Sequence, residues 1–400
     1  MENHILSTPI DLISDDPNFD KDFVLKNFSE DLAITLEKSL EKNKGLVRIA
    51  GAWFPRALLV DINAGHLNLA EAVLEEVNGG PMKTRDLIEQ IELKSDTNEN
   101  LTEFSFNLAL QDDKRFDEVG PAGEVLWFLK ALEPQDVQEQ PLMLEYSPID
   151  YDHKKVGALL SQFEGDVFDE LETWDEKVEL KDEIIVSLIY PHWQTGTLPL
   201  SKSLSRLFPT AYEAPRVRFT FVEKDGKSKF NGWVVREQKY VYGLRAWYQE
   251  NGLIPGSLVK VKTGKKPGEI IVEHIKSRQT KEWLKTVLIG SDKGIVFAML
   301  KQSINVAFNE RMAIAIPDPQ ALQQLWTDDK KQVPLENIIL RTMRELAKLN
   351  PQGHIHAQEI YAAVNITRRC PPGIIIYFLI NNHEIAHSGD LYFHFKEREN

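Results

Sequence analysis

The chain has 400 residues, 42% of them hydrophobic, which is enough for about two to four domains with real cores. One cysteine, Cys370, excludes an intramolecular disulfide framework and a cysteine-rich zinc site, and the ten histidines show no paired ligand spacing, so no metal or other cofactor is expected. Residues 1–200 carry 41 acidic and 17 basic side chains and residues 201–400 carry 20 and 30, so the net charge of −14 hides a basic second half. Duplex DNA is gripped largely by Lys and Arg at phosphates, which makes that half the candidate for nucleic acid and the acidic half a candidate for protein contacts. No signal-peptide pattern and no uncharged apolar run of about 18 residues occurs, so the expectation is a cytoplasmic protein without membrane contact.

The first block, 1–66, reads as two helices over 21–28 and 30–42 followed by an apolar stretch over 46–59. Ala52-Trp53-Phe54-Pro55 would lie in water unless this stretch packs onto the neighbouring block. Residues 67–77 put Leu69, Ala72, Val73 and Val77 on one helical stripe, and Asn78-Gly79-Gly80-Pro81 stops it. Further helices are expected over 84–91 and 101–111. Residues 115–129 then read as a hairpin, turning at Gly120-Pro121-Ala122-Gly123 and returning through Val125-Leu126-Trp127-Phe128-Leu129, with Trp127 buried. Three helices and a hairpin over 67–133 make a winged helix-turn-helix.

LNLAEAVLEEVNGGPMKTRDLIEQIEL and LTEFSFNLALQDDKRFDEVGPAGEVLWFL resemble the HARE-type helix-turn-helix domain, known from the amino-terminal domain of the bacterial RNA polymerase delta subunit. The resemblance covers 67–132 and implies transcription or DNA-associated work, with RNA polymerase as a candidate partner. It does not by itself imply DNA contact. The third helix contains Glu103 and no Lys or Arg, and only Lys114 and Arg115 come after it, which favours protein docking or scaffolding here.

An acidic linker and helix span 134–182, with Val156, Leu159, Leu160, Phe163, Val167 and Phe168 forming the apolar side of a helix over 155–172. From 183 to 290 the period becomes alternating. Strands are expected over 216–221, 232–235, 258–262 and 269–272, turns at Asp225-Gly226, Pro255-Gly256 and Pro267-Gly268, and short helices over 201–208 and 241–249. This pattern suggests a small barrel. Leu198, Pro199, Trp233, Gly243, Leu244, Trp247, Asn251, Leu253 and Gly256 resemble, in order, the pattern of the B-three DNA-binding pseudobarrel of plant transcription factors and some restriction enzymes. The Gly-Asp usual in that family is Gly256-Ser257 here.

That resemblance implies DNA contact, and the basic residues that could supply it are Lys202, Arg206, Arg216, Arg218, Lys224, Lys227, Lys229, Arg236, Lys239 and Arg245. Arg216 and Arg218 alternate on one strand and so share a face, while Lys224, Lys227 and Lys229 belong to a hairpin loop. Linking helices are expected over 295–309 and 319–326, within a 291–332 connector. A second winged helix is expected over 333–400, with helices at 334–349, 357–364 and 371–380 and a wing over 385–395. Arg368 and Arg369 stand at the start of its recognition helix, where a basic pair can meet phosphate.

Glu92-Leu93-Lys94 and Glu179-Leu180-Lys181 are fragments of a nuclease-like Glu-x-Lys pattern, and no P-loop, Gly-x-Ser-x-Gly or His-Glu-x-x-His pattern accompanies them. The fold class expected is α+β multidomain, with two winged helix-turn-helix domains flanking a small β-pseudobarrel. The function expected is a non-enzymatic, bacterial-type, nucleoid-associated protein that binds double-stranded DNA in transcription or chromatin. An adaptor docking on RNA polymerase and the specificity part of a restriction system are the alternatives.

Overall fold

The computed structural model describes residues 30–94, 98–163, 166–172, 182–290, 294–328 and 333–396. The helix expected over 21–28 and the Glu179-Leu180-Lys181 fragment lie outside them. The chain is α+β, built from helices and five separate sheets among the described residues.

Helix α1 (Glu30–Glu41) precedes a hairpin of β1 (Leu46–Ile49) and β2 (Ala52–Pro55), which turns through Ala50 and Gly51, both at positive φ. As its composition demands, this hairpin is covered: the Phe54 ring lies 5.0 Å from that of Phe104, and Val60 N–H donates to Ser105 Oγ. The next unit runs α2 (Ala64–Glu76), β3 (Met82–Lys83), α3 (Thr84–Gln90), α4 (Glu99–Asp112), β4 (Phe116–Glu118) and β5 (Leu126–Leu129), with sheet order β3-β5-β4. Asn63 caps α2 by accepting the His66 N–H. Ala70, Leu74, Leu87, Phe106 and Leu110 close its core around Trp127, which is 1% exposed and donates its indole N–H to Asn107 Oδ1 at 2.9 Å. Gly80, at φ 107°, is required where it stands, because a Cβ there would meet the Trp127 carbonyl at 2.7 Å.

A short helix α5 (Gln135–Gln138) leads to α6 (His153–Leu160). The helix expected over 155–172 ends at Leu160 and passes through one 3-10 turn; Asp169, Glu170 and Glu172 are buried rather than on a solvated acidic side.

The central sheet contains β6 (Glu183–Ser187), β7 (Thr197–Pro199), β8 (Arg216–Glu223), β9 (Lys229–Val235), β10 (Tyr240–Tyr242), β11 (Leu258–Thr263) and β12 (Glu269–His274), in the order β6-β11-β12-β8-β9-β10-β7. All pairings are antiparallel except β12 with β8. Two short helices, α7 (Tyr190–Thr195) and α8 (Arg245–Glu250), accompany it. Inward residues such as Val217, Phe219, Phe221, Val259, Val261 and Val272 alternate along the strands to form the core. The stretch expected as a helix over 201–208 holds only a 3-10 turn at Leu204–Arg206, and that over 241–249 divides into β10 and α8.

The expected helix over 295–309 is instead a strand. β13 (Lys276–Ile289) and β14 (Ile295–Val306) form a long antiparallel hairpin, with β15 (Ile314–Ala315) parallel to β13. Its base puts Leu284, Ile304 and Val306 into the core of the central sheet, and the part nearer its tip puts Val287 and Phe297 into the carboxy-terminal core. Successive residues of β13 from Leu284 to Val287 are buried, so both faces are covered there and the alternation that marks a half-buried strand is erased.

Helix α9 (Pro319–Asp328) opens the last part, followed by α10 (Leu335–Ala347), β16 (Ile355–His356), α11 (Ala357–Val364), α12 (Pro372–Asn381), β17 (Ile385–Gly389) and β18 (Tyr392–Phe395). The order helix, strand, helix, helix, strand, strand and the sheet order β16-β18-β17 repeat those of the first unit.

Candidate nucleic-acid interface

The basic residues singled out by the sequence separate into three groups once their partners are seen. Arg216, Arg218 and Arg369 are used inside the protein. Arg216, with a side chain 14% exposed, pairs with Asp117 at 2.5 Å, lies 3.6 Å from Glu133, and donates to the carbonyls of Val137 and Gln138. Arg218 donates to the Gly80 carbonyl at 3.0 Å, and its guanidinium lies over the Phe128 and Trp233 rings. The two do share a face, but that face is covered by the first unit. Arg218 N–H donates to Val119, Ala122 N–H donates to Thr210, and Val119, Phe128, Val137, Leu144, Trp233, Val235 and Tyr240 make a common core. The expectation that this strand grips phosphate is corrected: its arginines hold the β4–β5 hairpin of the first unit on the central sheet.

Arg369 is 1% exposed. Its two terminal nitrogens make a bidentate pair with Asp169, at 2.6 and 2.9 Å, and Nη2 also lies 2.9 Å from Glu170. His192 meets the other Glu170 oxygen at 3.0 Å, and Tyr361 donates to Asp169 at 2.7 Å. Glu172 accepts the Gly373 N–H at the start of α12. Arg368 donates to the Val333 carbonyl at 2.7 Å. The expected recognition helix, α12, buries Ile374, Ile375, Ile376 and Leu379 and packs against α6. A basic pair aimed outward at phosphate is therefore not what Arg368 and Arg369 form; Arg369 neutralises a buried acidic segment. Sequence reading missed Asp169 and Glu170 as its partners. The available signal was the apolar surroundings of Arg369, between Ile366 and Cys370-Pro371-Pro372, where a lone cation requires a buried counter-charge.

The second group is at the surface but engaged: Lys224 with Glu273, Lys227 with Asp225 at 3.5 Å, Lys229 with Glu269 at 2.7 Å, Arg236 with the Ala214 carbonyl at 2.7 Å, and Arg245 with the Gln194 carbonyl at 2.9 Å. The third is Lys202, Arg206 and Lys239, all exposed and without an ion pair among the described residues. The fold brings these three to one end of the central sheet. β7 pairs with β10 at Pro199 and Tyr240, and Leu200 N–H donates to the Lys239 carbonyl, so the 200–206 turn stands beside Lys239.

Two carboxyls between the first unit and the central sheet are shifted. Burial pushes Glu133 up to about 8, with Asp117 adding to it and Arg216 opposing. Burial likewise raises Glu118 to about 7, against the Gly120 N–H that it accepts. Among the described residues there is no cluster of His, Cys, Asp or Glu able to hold a metal, and no helix long and apolar enough to cross a membrane.

No family model, curated protein or solved structure matches this chain.

Proposed function

We propose that this protein binds double-stranded DNA, without catalysis, through the barrel end that carries Lys202, Arg206 and Lys239, with Arg245 along the adjoining edge. The observation that carries this reading is the contrast among the cations. These three stand together and form no ion pair among the described residues, whereas Arg216, Arg218 and Arg369 are used within the fold. Unneutralised cations on neighbouring turns are what a phosphate backbone requires. The seven-stranded mixed sheet with two short helices supports the B-three resemblance.

The two units of repeated order support the winged-helix reading, and their third helices point to a scaffolding role. α4 is overlaid by the amino-terminal hairpin and α12 by α6, so neither is free to enter a groove. Docking on a basic protein such as RNA polymerase is the second reading. It is favoured by exposed Glu75 and Glu76 beside exposed Leu69 and Val77 on and next to α2.

Fluorescence anisotropy with duplex DNA over a salt series tests the first reading. Replacing Lys202, Arg206 and Lys239 together by Ala should weaken binding to all sequences and reduce the salt slope by about 2.7, or 0.9 per lost phosphate contact. An unchanged slope in the folded variant would remove this end of the barrel from the interface.

A further inference from the structure

We propose that the solvated half of the β13–β14 hairpin is a landing surface for a single strand of nucleic acid. In this arrangement the Trp283 indole stacks on a base, and Lys281 and Lys301 hold the neighbouring phosphates. The surface differs from the duplex site proposed above and lies at the other end of the central sheet. β8 starts at Arg216, in the row of Val235, Tyr240 and Pro199, and ends at Glu223 beside Val272. The hairpin leaves β12 at that second end, just after His274.

Every residue of β13 from Lys276 to Trp283 is exposed, whereas Leu284 to Val287 are buried. The register places Lys281 opposite Ser303 and Trp283 opposite Lys301, so these four share one face. The opposite face sends Leu284 and Ile304 into the core of the central sheet. The first face is thus presented to water by a ribbon anchored from behind. Trp283 is 59% exposed, and Lys301 Nζ lies 5.3 Å from its ring centroid. None of Arg278, Lys281 and Lys301 forms an ion pair among the described residues, unlike Lys224 and Lys229 near the same end.

An exposed indole flanked by cations that form no ion pair among the described residues, on a solvated strand pair, matches the needs of an unpaired strand. Each base has a π-face to stack, and each linkage has a charge to neutralise. Ser303 and Asn305, also exposed, supply hydrogen-bonding groups beside the stacking position. A duplex keeps its bases stacked on one another and would leave the indole without its partner, so the charge and aromatic pattern together favour the single strand.

Anisotropy of the full chain with labelled oligothymidylate and oligouridylate of about 12 nucleotides tests this. Salt-sensitive binding is expected, and any preference between the two oligomers identifies the sugar. Trp283→Ala should weaken binding about tenfold and Trp283→Phe should retain most of it. Lys281→Ala with Lys301→Ala should lower the salt slope by about 1.4. Because Trp283 is exposed, these variants should keep the wild-type circular dichroism. The Lys202, Arg206 and Lys239 variant should bind the strand normally, and duplex binding left unchanged in that variant would sink the duplex reading while leaving this one standing. No binding to either oligomer, equal binding by Trp283→Ala, or displacement by an equal amount of duplex would overturn the proposal.

Discussion

Replacing Arg369 by Met removes the one cation between Asp169 and Glu170 while keeping much of the buried volume. Arg369 and Asp169 have fully buried side chains and that of Glu170 is 2% exposed, so water cannot solvate what is left. Removing one partner of a buried ion pair costs about 3–5 kcal/mol, and two carboxylates lose their counter-charge here, which places the cost at the upper end. The pH dependence is set by Glu170. Burial pushes its carboxyl up, but Arg369 and then His192 outweigh burial and hold it down at about 2, against an ordinary 4.5. Its folded value is depressed, so the stabilisation is present above 4.5 and is lost as pH falls towards 2. Without Arg369 that depression disappears, and acid then relieves the orphaned charges by protonating them. Urea unfolding followed by circular dichroism should show the full deficit at about pH 7 and a smaller one at about pH 4. Adding Asp169→Asn and Glu170→Gln to the variant should restore most of the loss. A neutral-pH deficit below about 1 kcal/mol, or the same deficit at both pH values, would refute the assignment of Arg369 as an internal counter-charge.

Arg216→Ala strips Asp117 of its cation and should cost about 3 kcal/mol, loosening the first unit on the central sheet; faster limited proteolysis between 133 and 152 would register it, and wild-type cleavage rates would contradict it. Glu133 and Glu118 are raised in the fold to about 8 and about 7 from 4.5, so their contribution is fully present below 4.5 and is lost as pH rises through those values. The urea midpoint should therefore fall between about pH 5 and pH 8 in the wild type, and Glu133→Gln should flatten that fall; parallel curves for the two proteins would count against it. Trp127→Ala should cost about 3–5 kcal/mol through the cavity it leaves, and an indole fully quenched by iodide in the native protein would show that Trp127 is not the buried closing residue.

Local pattern carried much of the secondary structure. The turn cluster at Gly120-Pro121-Ala122-Gly123 and the apolar return strand marked the hairpin that buries Trp127, and the amphipathic spacing of Leu335, Ile339, Met343 and Leu346 marked α10. Pattern failed at the β13–β14 hairpin, where Val287 and Phe297 enter one core and Ile304 another, because a ribbon shared between two cores has no single two-residue period to read. It also failed after Leu160, where the chain leaves its helix and carries three acids inward.

The uneven charge was equally plain from the sequence, and it reduced the search for a polyanion site to the second half. What each cation does was decided only in three dimensions. Arg369 meets Asp169 across 200 positions of sequence and Arg216 meets Asp117 across 99, whereas Lys202 and Lys239 become neighbours through the pairing of β7 with β10. Periodicity and turn chemistry depend on residues a few positions apart, so the sequence by itself determines the elements and the charge available to them. Neutralisation and burial depend on which distant surfaces the folded chain presses together, and only the tertiary structure sets that.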